Sequence, residues 1–123
     1  MLYAILCYDD EAVVDAWSKE KDDAVMERLG SVVNRLAEER RLGPVARLMS
    51  TKSATTVRKG KTAAVLDGPF AETKEHLLGF YVVECASPDA AVEVAKELAD
   101  ASGSAGAFEI RPLRFFMPGS GVT

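Results

Sequence analysis

Between Asp67 and His76 the chain gathers, within ten residues, the side chains best suited to chemistry: Asp67, Glu72, Thr73, Lys74, Glu75 and His76, its single histidine. An imidazole with an ordinary pKa of about 6.5 can take or give a proton near neutrality. His76 is therefore the candidate acid or base, and Asp67 the acidic group that could assist it. Glu72, Thr73 and Lys74 are candidate ligand-binding groups, because polar loops held by a rigid sheet commonly carry such contacts. A structural explanation competes with this one. Asp67-Gly68-Pro69-Phe70 has the makings of a tight turn, with Phe70 anchoring the loop in an apolar pocket and His76 a solvated imidazole between acids.

Other chemistries are excluded by spacing. The His, Cys and acidic residues do not recur at intervals that would give a zinc or iron site three ligands, so no metal is expected. Cys7 and Cys85 each sit in an apolar run without CxxC spacing, which reads as two buried, reduced thiols. Phosphate-binding glycine loops and nucleophile elbows are missing, and no cofactor is implied. A net charge of −4 and a pI near 5.0 provide no broad basic surface for nucleic acid or anionic lipid. "MLYAILCYDDEAVVD" lacks a basic leader, and no apolar run approaches the roughly 20 residues needed to cross a bilayer. A cytoplasmic protein is the expectation.

At 123 residues, 48% hydrophobic and 28% charged, the chain suits one globular domain. We place it at residues 1–116, with 117–123 as a tail. Leu2 to Tyr8 reads as a central strand. Val25, Leu29, Val32, Val33 and Leu36 recur at helical steps after an N-cap at Ser18, and Gly43-Pro44 predicts a helix end near Leu42. Val45 to Ser50 reads as an exposed strand, and "ATTVRKGKTAAVL" as a hairpin turning tightly at Lys59-Gly60. Leu77 to Cys85 follows as a strand, Ser87-Pro88-Asp89 opens a second helix that fails in "SGSAG", and Phe108 to Phe116 is the last strand.

This order predicts an α+β, ferredoxin-like antiparallel sheet with two helices on one face. The first strand and the Leu77 strand would be antiparallel neighbours. Tyr8 and Asp9 would then approach the start of the Leu77 strand and could line the same ligand pocket, which Tyr81 could also reach. Cys7 and Cys85 would lie too far apart for a disulfide. The second sheet face has no cover in its own chain, which predicts a homodimer.

Asp67-Gly68-Pro69-Phe70-Ala71-Glu72-Thr73-Lys74-Glu75 followed by Gly79-Phe80-Tyr81 resembles the signature of the DGPF group of YCII-related proteins. The opening "MLYAILCYDDEA", the "ATTVR" hairpin and the closing "EIRPL" extend the resemblance over nearly the whole chain. It implies ferredoxin-like subunits that pair into a dimeric α/β barrel. Enzymatic proposals for the wider superfamily rest on a histidine of the first helix working with an aspartate. Here "KDDAVMERLGSVVNRLAEER" holds no histidine, so that pair does not carry over and enzymatic activity is left open. The DGPF group resembles small-molecule-binding modules, often encoded beside extracytoplasmic-function sigma factors. Two readings follow: a small-molecule-binding dimer with a pocket near the DGPF loop, or a regulatory module associated with such a sigma factor.

Overall fold

Two serines set the long helices. The Ser18 hydroxyl accepts from the Lys21 amide at the start of α2 (Lys19–Glu38), and Ser87 accepts from Ala90 at the start of α3 (Pro88–Ser102). Each satisfies a donor that the first helical turn leaves without a partner. In the computed structural model, which describes residues 1–122, a short helix α1 (Glu11–Asp15) precedes α2, capped by the Asp10 carboxylate. The strands are β1 (Leu2–Asp9), β2 (Leu42–Arg47), β3 (Thr55–Arg58), β4 (Ala64–Asp67), β5 (His76–Glu84) and β6 (Ala107–Pro112), with a 3-10 turn at Thr51–Ser53.

Helix α2 ends earlier than the Gly43-Pro44 signal suggested. Arg40 takes a left-handed φ of 57°, its amide bonds to the Ala37 carbonyl at 3.0 Å, and the Arg41 amide bonds to Leu36 at 2.9 Å. That paired pattern is a Schellman cap formed without glycine. Gly43 and Pro44 instead lie inside β2, where the pairing to β5 slips between Leu42 and Val45. The second helix ends within "SGSAG" as expected, and Gly103 supplies a left-handed cap at φ 64°.

The main sheet is antiparallel with order β2-β5-β1-β6. This α+β arrangement of an antiparallel sheet and three helices agrees with the expected fold class, and the sheet is open, with β2 and β6 as its edges. Alternation along β1 and β5 sends Tyr3, Ile5 and Val83 into a core with Leu36, Val94 and Leu98. Full burial of each aliphatic side chain is worth roughly 1.5–3 kcal/mol. Ala91 and Ala95 bring α3 close to these strands. On the opposite face, Leu6 pairs across from Phe80 and Ala4 from Val82, with no helix packed over them. Cys7 and Cys85 are free and stand at opposite ends of the β1–β5 pair. Burial, then the charge of Asp9, pushes the Cys7 thiol up to about 11.

Strands β3 and β4 form a separate ribbon joined by a loop over 59–63, longer than the tight turn expected at Lys59-Gly60. After it, Gly68 adopts φ 94°. Its amide bonds to the Ala54 carbonyl, and its own carbonyl accepts the Thr56 hydroxyl at 2.8 Å. The turn is thus fastened by polar bonds, and Phe70 does not anchor it. Contrary to the sequence expectation, Phe70 is 74% exposed, its ring 5.3 Å from the Arg58 guanidinium. Phe70→Ala in the monomeric chain should therefore cost less than about 1 kcal/mol, against roughly 3–5 kcal/mol for a core aromatic. Urea unfolding at dilute concentration checks this.

The last strand is shorter than expected. After Pro112 the described chain has no further helix or strand, and of the tail read from 117 to 123, Thr123 lies outside the described residues. No described helix is long and apolar enough to cross a membrane. No group of three or more metal-ligating side chains occurs among the described residues.

Candidate functional site

The end of β1 builds one wall of the site. Asp9 pairs with His76, the first residue of β5, and Asp10 then turns the chain into α1. Glu11, the first residue of that helix, comes back to His76: its Oε1 lies 3.4 Å from His76 Nδ1. Glu11 is itself fixed from the far side of the sheet. The Thr51 amide donates to Glu11 Oε2 at 2.7 Å, and the Thr51 hydroxyl donates to Oε1. One carboxylate thereby ties together α1, the 3-10 turn after β2 and the start of β5.

The Glu11 and His76 side chains are only 13% and 16% exposed. Neither ring nitrogen of His76 has a hydrogen-bond partner among the described residues, although both are buried. His76 borders a cavity of about 620 Å³ lined also by Asp10, Glu11, Asp15, Ser50, Thr51, Lys52, Thr73 and Lys74. The Glu11 carboxylate stands on the Nδ1 side of the ring. His76 Nε2 is shielded from solvent in this arrangement, so a bound molecule would reach it only after the lining shifts. Lys52 and Lys74 supply positive charge in the same cavity, and Thr73 is held by its hydroxyl bond to the Glu75 carbonyl at 2.5 Å.

The Thr51 hydroxyl, helped by the Thr51 amide and by His76, lowers the Glu11 pKa below 4.5. A depressed carboxylate stabilises the fold above its unfolded-state pKa, and that contribution disappears as pH falls through the lower folded value. Glu11→Gln should therefore be less stable than the parent at neutral pH. The two unfolding midpoints should converge as pH falls below 4.5, and a gap that persists in acid would contradict an ionic role.

Thr73, Lys74 and His76 of the sequence candidates come together here. Asp67, at the end of β4, and Glu72 are exposed and line none of this cavity. Tyr8 borders a different cavity, between α3 and β6. Asp9 borders both that cavity and a third, between α2 and the sheet, which Tyr81 also lines. Sequence reasoning missed Glu11 and Thr51. Glu11 had a usable signal, since it follows the strand end that should meet the start of the Leu77 strand, but the acids after Tyr8 read simply as a strand stop. Thr51 had none, because its role depends on where the turn after β2 folds back.

Comparison with known proteins supports the resemblance at the level of family. The chain is 54% identical over 121 residues to an uncharacterised protein of Rhizobium meliloti (strain 1021), covering 97% of each. The model of the YCII-related domain matches residues 1–117. With nearly its whole length spanned by that match, the chain belongs to the YCII-related domain family.

Proposed function

We propose that this protein binds a small molecule bearing an acidic oxygen, a phenol, enol or carboxylate, in the cavity over His76. The observation that carries this reading is the buried imidazole with neither nitrogen hydrogen-bonded among the described residues. Leaving a buried polar group unsatisfied costs roughly 1–3 kcal/mol, and a ligand oxygen on Nε2 would relieve it. Lys52 and Lys74 offer positive charge to such an oxygen, beside the carboxylates of Asp10, Glu11 and Asp15 in the same lining. Glu11 and His76 together also have the composition of a general acid–base pair, so proton transfer to the bound oxygen is the chemistry within reach of this site.

The protein acts in this proposal as a homodimer of ferredoxin-like subunits stacked sheet to sheet into an α/β barrel. Support comes from the helix-free face carrying Leu6 and Phe80, and from Met49 and Phe115, 83% and 76% exposed. Exposed large apolar side chains and a sheet face without helices are what such an interface would cover. Light scattering at micromolar concentration should give twice the chain mass, and a monomer would overturn this part. For the ligand, thermal denaturation with benzoates, phenols and enolisable diketones should single out a compound class that raises the melting temperature. A panel without effect would count against the binding site.

A further inference from the structure

The cavity between α2 and the sheet has a volume of about 260 Å³ and apolar walls that include Trp17, Met26, Leu29, Val33 and Tyr81. It is larger than the ~150 Å³ apolar cavities that admit benzene. One of its lining residues is a buried carboxylate. Asp9 is only 6% exposed, its hydrogen bond comes from the Asp10 amide to Oδ1 at 2.8 Å, and no described cation forms an ion pair with it. Arg47, also in the wall, does not serve, because both its terminal nitrogens are engaged by Asp22 at 2.7 and 3.2 Å. That pair is neutral within itself, and the Asp10 amide is the one described hydrogen-bond donor to the Asp9 carboxyl.

A buried carboxylate without a cation is costly, and the missing partner is a positive charge. The surroundings oppose an anion. The neighbouring Cys7 thiol and Tyr81 phenol are neutral groups at physiological pH, and Asp9 would repel a second carboxylate. The aromatic walls suit an apolar body, and aromatic rings also favour a nearby ammonium. We propose that this cavity binds a small primary amine on an aromatic or branched apolar body, its ammonium on Asp9 and its body against Trp17 and Tyr81. This site is separate from the one over His76 and does not depend on it.

The test uses the full chain and three probes of matched shape: phenethylamine, phenethyl alcohol and hydrocinnamate, compared by titration calorimetry. The amine should bind at least about tenfold more tightly than the alcohol, the discrimination expected of a hydrogen bond to a charged group, and the carboxylate more weakly than either. Asp9→Asn, which keeps the acceptor for the Asp10 amide, should erase the preference for amine over alcohol. Leu29→Trp, which fills the apolar part while leaving Asp9 in place, should abolish binding of both. Equal binding of amine and alcohol by the parent protein, or no binding of the amine, would overturn the proposal without recourse to any variant. A preference for amine surviving in folded Asp9→Asn would do the same.

Discussion

Gly106→Ala should destabilise the protein by about 3 kcal/mol or more, at the upper end of what overpacking costs. The expectation comes from contact distances and not from backbone strain, since Gly106 is not among the positive-φ glycines. A β-carbon there would stand 2.0 Å from the Tyr8 carbonyl oxygen and 2.8 Å from Asp9 Cγ. Neither neighbour can yield easily: Tyr8 is fixed between Leu77 and Ala107 in the sheet, and Asp9 is buried. The connection from α3 to β6 would have to lift away from β1, exposing the core beneath. Gly30→Ala is the internal control. It sits within α2, where an added β-carbon would meet no atom within 4 Å, so the substitution should stabilise by roughly 0.5–1 kcal/mol through helix propensity alone. If both variants unfold at the parent's urea midpoint, the close packing of the α3–β6 connection on β1 is wrong.

The second large effect is on binding. A ligand present at about 100 times its dissociation constant adds roughly 2.7 kcal/mol to stability by mass action, a rise of several degrees in melting temperature for a domain of this size. His76→Ala should remove that entire gain for the active compound class, because it deletes the group that would contact the ligand. It should not greatly weaken the unliganded fold: the ring makes no hydrogen bond that would be lost, and Thr51 continues to hold Glu11. Lys74→Ala should remove part of the gain, and more of it for carboxylates than for neutral phenols, since an ammonium discriminates by charge. Protection that survives in His76→Ala would move the ligand elsewhere.

Much of the scaffold was legible because it is written in local signals. Ser18, Ser87 and Gly103 mark helix ends by their own hydrogen bonds and dihedral freedom, and the apolar run of β5 identifies a central strand. Where local signals compete, tertiary structure decided. Gly43-Pro44 has the composition of a helix stop, yet Arg40 provides the cap and the Gly-Pro pair is absorbed into the slipped edge strand β2. Phe70 looked like a core anchor because it is aromatic beside a turn, but polar bonds from Gly68 and Thr56 hold that turn without it. The site was half legible. Thr73, Lys74 and His76 are close in sequence and lie together in space, whereas Glu11 and Thr51 reach His76 only because β1 pairs with β5 and the turn after β2 folds back over α1. Asp67 was attractive for its nearness in sequence, but a loop separates it from the cavity.

The lone histidine makes the central claim directly measurable, since its ring protons give resonances that no other residue can contribute. NMR spectra of the protein should show the His76 ring signals shifting and saturating as the stabilising phenol, enol or carboxylate is added, with the same apparent affinity as the rise in melting temperature. Ring signals that stay fixed while such a compound raises the melting temperature would contradict His76 as the binding group.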